Sequence, residues 1–144
     1  MDELEEILEE LLCKAYKKIL NNEEKILKDM IGDILTQKEF HTLDVIYEST
    51  EKGINTGSRI ASALGITLST FTINLDKLIA KGYVSKFKHD DDKRVTHIVL
   101  TNDGHMIRNK HIRCHKQAIR KALKNLTQTE RVALLNGISK INFD

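Results

Sequence analysis

Apolar residues recur at three- and four-residue spacing through the first quarter of the chain. Leu4, Ile7, Leu8, Leu11, Leu12, Ala15, Ile19 and Leu20 begin the series, and Ile26, Leu27, Met30 and Ile34 resume it. That period predicts one long amphipathic helix, with Asn21 and Asn22 as the place where it can bend. So long a stripe exceeds what a small body can cover, so part of it is expected to meet another chain. Thr36 with Glu39, and Thr127 with Glu130, have the spacing of a capping box, in which the hydroxyl caps an amide and the carboxylate reaches back. Helices are therefore expected from near Gln37 and near Gln128. Thr101, followed by Asn102 and Asp103, offers a third start, for a helix running through Leu123.

The stretch between these helices has a shorter period. Thr56 can cap a brief helix that reaches Leu64, and Gly65 can end it because glycine tolerates positive φ. Thr67 can cap the next helix, with Leu68, Phe71, Leu75 and Leu78 on its inner face. Gly82 closes that one. Tyr83 to Lys88 and Val95 to Leu100 alternate apolar and polar residues, as two strands of a hairpin do, around the charged tip His89-Asp90-Asp91-Asp92-Lys93-Arg94. Two short helices, a turn at Gly65-Ile66 and a polar-tipped hairpin spell a winged helix-turn-helix. The fold class is thus mainly α with a small β-hairpin wing.

Composition refines this picture. The 144 residues suit one domain, and the absence of proline favours uninterrupted helices. A net charge of +2 does not announce a nucleic-acid binder, but its distribution is uneven. Residues 1–10 carry six acids and no base, whereas residues 105–124 carry seven Lys or Arg, three His and no acid. Such polarity suits complementary surfaces within a dimer or toward a partner. Cys13 and Cys114 are too far apart in sequence to suggest a disulfide framework, so a reducing, cytoplasmic setting is expected. The acidic N-terminus is unlike a secretory signal, and no apolar run approaches the ~20 residues of a membrane span.

In a helix-turn-helix the second helix enters the major groove. With its leucines and Phe71 inward, Ser69, Thr70, Thr72, Ile73, Asn74 and Lys77 face outward, where hydroxyls and an amide can bond base edges and Lys77 suits a phosphate. Thr56, Ser58 and Arg59 are phosphate candidates at the entry helix. Lys86, Lys88, Lys93 and Arg94 concentrate cations on the hairpin, where Arg94 can enter a minor groove with Asp92 orienting it. The bland alternative is an ordinary polar surface with a solvated charged turn.

The tracts "LTQKEFHTLDVI", "GSRIASALGITLSTFTINLDKLIAKGYVSKF" and "DDDKRVTHIVLTNDG" resemble the MarR-type repressors, from about Leu35 through Leu126. The wing pattern of an Asp two residues before an Arg, with Leu-Thr beyond, falls on Asp92, Arg94, Leu100 and Thr101. The resemblance implies one MarR-type domain over 1–144. Residues 1–34 and 102–144 would form dimerisation helices, and 36–101 the winged helix-turn-helix that binds a pseudo-palindromic operator as a homodimer. Many relatives carry Arg where this chain has Ile73, which suits a thymine methyl better than guanine acceptors. The tracts "NNEEKILKD", "RVTHIVLT" and "HIRCHK" are similar to FabT-type regulators of fatty-acid synthesis, which implies acyl-acyl carrier protein as corepressor. Phe40, Leu43, Ile107 and Ile112 are then the candidates to line an acyl pocket.

His111 and His115 lie four residues apart, a spacing that can hold a metal ion on one helix face. Glu23 and His41 could complete four ligands, similar to zinc-sensing members of the broad family. Against this stands the reading of structural, hydrogen-bonded histidines, which is preferred, so no cofactor is expected. Cys13, beside Lys14 and Lys17, could act as a peroxide switch. Its place at the margin of the stripe, whose buried face is set by positions 8, 12, 15 and 19, argues otherwise. Cys114 falls with Ile107, His111 and Ala118 and is expected to pack. No phosphate-binding loop, dinucleotide turn or nucleophile elbow is present, and the acids do not converge, so an enzyme is not expected. A protein-interaction module using the basic 105–124 helix is the remaining alternative.

Overall fold

Six helices and one hairpin make up the computed structural model, which describes residues 2–142 with the side chain of Met30 excepted. In chain order they are α1 (Glu3–Ile31), α2 (Gln37–Glu51), α3 (Gly57–Leu64), α4 (Leu68–Ala80), β1 (Val84–Lys88), β2 (Thr96–Leu100), α5 (Asn102–Ala122) and α6 (Gln128–Ile138). The fold is the mainly helical, winged arrangement that the pattern predicts. Among the described residues, no helix is long and apolar enough to cross a membrane. The chain divides into two compact units, one of residues 31–112 and one of residues 1–30 with 113–144.

In the unit of residues 31–112, helices α2 and α4 each pack on α3, and all three pack on the hairpin. Leu43 and Ile46 of α2, Ile60 of α3, Phe71, Leu75 and Leu78 of α4, and Val84, Ile98 and Leu100 of the hairpin are all buried. Each large side chain taken out of water contributes about 1.5–3 kcal/mol before entropy is counted. Gly65, at φ 68°, ends α3: its N–H bonds the Ser62 carbonyl and that of Ile66 bonds Ala61, closing the left-handed cap that turns the chain into α4. β1 and β2 run antiparallel from Val84 opposite Leu100 to Lys88 opposite Thr96. A third segment flanks β2. Ile98 N–H donates to the Asn55 carbonyl at 2.9 Å, buried Asn55 Nδ2 returns a bond to the Ile98 carbonyl at 2.8 Å, and Thr56 bridges His97.

In the unit of residues 1–30 and 113–144, α1 runs unbroken through Asn21 and Asn22. Cys114 and Ala118 of α5 and Leu27 of α1 are buried, and the buried Glu23 accepts from His115 Nδ1 at 2.9 Å. The front of α1 is bare, with Leu4, Ile7, Leu8, Leu11, Leu12, Tyr16 and Leu20 exposed, as are Val132, Leu134, Leu135 and Ile138 of α6. The capping boxes form at both expected places, with Thr36 on Glu39 and Thr127 on Glu130.

Four local expectations are corrected. Leu68 is 53% exposed rather than inward: at the first position of α4 it projects past the core, and its Cδ1 lies over the backbone of Gly57. Thr56 stands at the N-cap of α3, but its side chain makes no capping bond, since its backbone is bridged to the hairpin edge. The strands begin at Val84 and Thr96, one residue later than the alternation suggests. On α1, positions 8, 12 and 15 are exposed and position 19 only half-buried, so they form no buried face within the chain. Met30, expected in that stripe, has a side chain outside the described set.

Candidate nucleic-acid interface

Thr67 starts α4 by accepting from the Thr70 amide at 3.2 Å, while its hydroxyl donates to Thr70 Oγ1 at 2.9 Å. Phe71, Leu75 and Leu78 then fix which face is inside. Ser69, Thr72, Ile73 and Lys77 emerge on the exposed side, with Ile73 60% exposed. Thr72 Oγ1 back-bonds the Leu68 carbonyl at 2.9 Å, so its methyl is the part free to meet a groove. Thr70 and the half-buried Asn74 lie on the flank toward α2. There they line a cavity of about 480 Å³ with Gln37, Lys38, His41, Thr42, Leu64 and Ile66. The outward set of the sequence reading therefore divides into an exposed ridge and a flank.

The hairpin brings its cations to the surface. Lys86, Lys88, Lys93 and Arg94 are all exposed. Asp92 Oδ1 accepts from both the backbone amide and Nε of Arg94, each at 3.1 Å. The Arg94 guanidinium bond and then its amide hold the Asp92 carboxyl below its ordinary pKa. Ser58 and Arg59 are exposed in the first turn of α3, with Thr56 half-buried beside them.

Three residues that the sequence reading passed over share the outer face of the hairpin. His97 is the register partner of Phe87, and their rings are 5.5 Å apart at 25°. His89 lies 5.1 Å from Phe87 and 4.6 Å from His97, edge to face. Alternation places Phe87 and His89 on one side of the strand; the cross-strand partner needed the register.

Around this surface, Lys81 at the end of α4 bonds Glu39 Oε2 at 2.9 Å and the Ile34 carbonyl at 3.3 Å. Partial burial raises the Glu39 pKa, but the Lys81 and Thr36 bonds together outweigh it, and the group lies below its ordinary value. Arg108 Nε donates to Asp44 Oδ1 at 2.8 Å and its guanidinium sits 3.9 Å from the Tyr47 ring centre, tying α5 to α2.

Of the candidate pocket residues, Phe40, Leu43 and Ile107 are buried and Ile112 is half-buried, with Phe40 stacked flat on His111 at 4.1 Å. Of the candidate metal ligands, Glu23 and His115 form an ion pair, His111 lies one turn before His115 on α5, and His41 is exposed beside the α2–α4 cavity. Burial raises the Cys114 thiol pKa, against a smaller opposing effect of Arg113, so this cysteine is a packed thiol; Cys13 is exposed.

Known proteins share this architecture. Residues 35–96 match the model of the MarR family. The transcriptional repressor MprA of Escherichia coli (strain K12) is 31% identical over 102 residues, covering 70% of this chain and 56% of MprA. The regulator PecS of Dickeya dadantii (strain 3937) is 28% identical over 109 residues, 74% of this chain and 66% of PecS. This chain thus spans between about half and two thirds of the length of the curated relatives it matches. Among solved structures, Streptococcus pneumoniae FabT, in complex with DNA, is 29% identical over 93% of this chain and 92% of its own, with a TM-score of 0.71. The winged helix-turn-helix, the match over residues 35–96 and these relatives agree that the chain is similar to the MarR family.

Proposed function

We propose that this chain is a homodimeric, sequence-specific DNA-binding transcription repressor of the cytoplasm that turns over no substrate. One observation carries the reading. The α4 ridge of Ser69, Thr72, Ile73 and Lys77 is exposed above a buried apolar face, and the neighbouring hairpin presents Lys86, Lys88, Lys93 and an Asp92-oriented Arg94. The ridge suits the major groove and the hairpin the backbone and minor groove, with Ser58 and Arg59 adding phosphate contacts. Thr70 and Asn74 reach base edges from the flank of the ridge, and Thr56, at the N-cap of α3, adds a phosphate contact beside Ser58 and Arg59. The single domain 1–144 dimerises through 1–34 and 102–144, whose α1 and α6 leucines a second copy covers. Selection from random duplexes, followed by affinity measurement at several salt concentrations, tests this. A palindromic site with half-sites about one helical turn apart, and affinity falling steeply with salt, is expected. Absence of binding to any duplex at low salt overturns it.

The likeness to FabT, together with the buried Phe40, Leu43 and Ile107 and the half-buried Ile112, supports a finer reading: control of fatty-acid genes with a long-chain acyl-acyl carrier protein as corepressor. Each methylene buried is worth about 0.8 kcal/mol, enough for chain-length discrimination. Titrating DNA binding with carrier protein bearing long or short chains separates this from a zinc or peroxide effector. Indifference to chain length, with a zinc response lost in His111→Ala, replaces the acyl reading by a metal one.

A further inference from the structure

We propose that the outer face of the hairpin is a proton-gated phosphate contact, in which His89 and His97 together hold one DNA backbone phosphate when protonated. The inference rests on the reading of the hairpin as a DNA-contacting wing and adds a residue pair and a pH dependence to it. Strand alternation sends Val84, Ile98 and Leu100 to the core and leaves Phe87, His89 and His97 on the opposite face. Phe87 and His89 are exposed and His97 is half-buried, so the pair is open to a ligand.

Imidazole is the side chain that ordinarily gains its charge just below neutrality. The ring centres lie 4.6 Å apart, close enough for one phosphodiester to meet both. Placed against them, it accepts one N–H from each ring, a pair of charge-assisted bonds when the rings are cationic. Phe87, stacked on His97 and at right angles to His89, backs the pair and shields one side from water. The charged groups around the pair are Lys86 and Lys88 of β1, Lys93 and Arg94 of the tip, Arg59 of α3, and Asp90, Asp91 and the Arg94-bound Asp92. DNA binding should therefore take up protons at this pair, and affinity should rise as pH falls.

The test measures affinity for two duplexes, one selected from random sequence and one unrelated, between about pH 8 and about pH 6. Wild-type affinity should rise about 3- to 10-fold across that range on both duplexes, since a phosphate contact ignores sequence. In the double variant His89→Gln/His97→Gln the rise should vanish, while His41→Gln, on the exposed start of α2, should keep it. His89→Arg, with a permanent charge, should bind more tightly than wild type at the alkaline end and vary less with pH. His89 and His41 are exposed and the half-buried His97 lies on the hairpin face away from the core, so circular dichroism should report unchanged folding. A pH slope shared by wild type and the double variant, removed by His41→Gln, or confined to the selected duplex overturns the phosphate contact and leaves the repressor reading standing. No binding at any pH overturns both.

Discussion

Arg94 stands at the hairpin tip with its side chain almost wholly in solvent, yet Asp92 directs it by accepting from Nε at 3.1 Å, beside a bond of 3.1 Å from the Arg94 backbone amide. Preorientation lowers the ordering cost of inserting the guanidinium into a groove. Arg94→Ala should weaken operator binding by about 1–3 kcal/mol, with helix content and oligomeric mass unchanged. Equal affinity of variant and wild type at moderate salt would argue that the tip does not touch DNA. Gly104 makes the opposite kind of demand. A Cβ there would collide with the Tyr83 carbonyl, a backbone atom that also accepts from the Thr101 amide and cannot withdraw. Gly104→Ala should therefore destabilise the chain by about 1–3 kcal/mol in denaturant unfolding, despite alanine's better helix propensity. Asp92 and Arg94 were legible in the sequence because their spacing is local. Phe87, His89 and His97 were not, because alternation tells which residues share a strand face and only the register tells which residue lies opposite. Thr70 and Asn74 show a similar limit: helical period separates outside from inside, but the flank toward α2 depends on how α2 packs.

At the scale of elements, the boundaries written by side-chain chemistry were the readable ones. Thr36 and Thr127 each precede a glutamate at the third position, and both boxes close. Thr56 looked equally good as a cap, but a bridge to His97 draws its backbone into the sheet, a long-range pairing that no local pattern encodes. Leu68 fits the apolar period yet falls outside the core, because the period does not say how far the first turn of a helix overshoots it. The same capping chemistry joins two elements. Glu39 accepts from the Thr36 amide with one oxygen and from Lys81 with the other, so the start of α2 holds the end of α4. Its folded pKa lies below its ordinary value of 4.5. A depressed carboxylate contributes stability that is present above the unfolded pKa and lost as pH falls through the folded one. Unfolding free energy should accordingly drop on acidification below about pH 4.5, and Glu39→Gln should remove part of that drop. Since Lys81 is well exposed, the pair is screened and the effect small. A variant with the same acid profile as wild type would show that the tie contributes nothing.

For the whole molecule, the decisive feature is apolar surface that the chain leaves uncovered. Leu4, Leu8, Leu11 and Leu12 of α1 and Leu134, Leu135 and Ile138 of α6 are exposed, a quantity that monomers rarely tolerate. The length of the α1 stripe announced this in the sequence; which part stays bare depends on where Glu23, Leu27 and Ile31 become buried, and that is a tertiary fact. Covering the leucines with a second copy is the proposed solution, and it has a consequence for DNA. Two lobes joined in one dimer would engage two half-sites, so the second contact would form at a high effective concentration and multiply affinity by about 10²–10⁴. Replacing Leu8 and Leu12 together by Glu places like charges among the six acids of residues 1–10 and sets charge against apolar neighbours. The double variant should sediment as a monomer, keep its hairpin and α2–α4 core, and lose about 100-fold or more in affinity for the palindrome. Its affinity for an isolated half-site should be nearly that of wild type, because the proposed reading surface lies in the unit of residues 31–112. A variant that remains dimeric would show that α1 is covered by something else, and equal losses on half-site and palindrome would show that the leucines support the lobe itself.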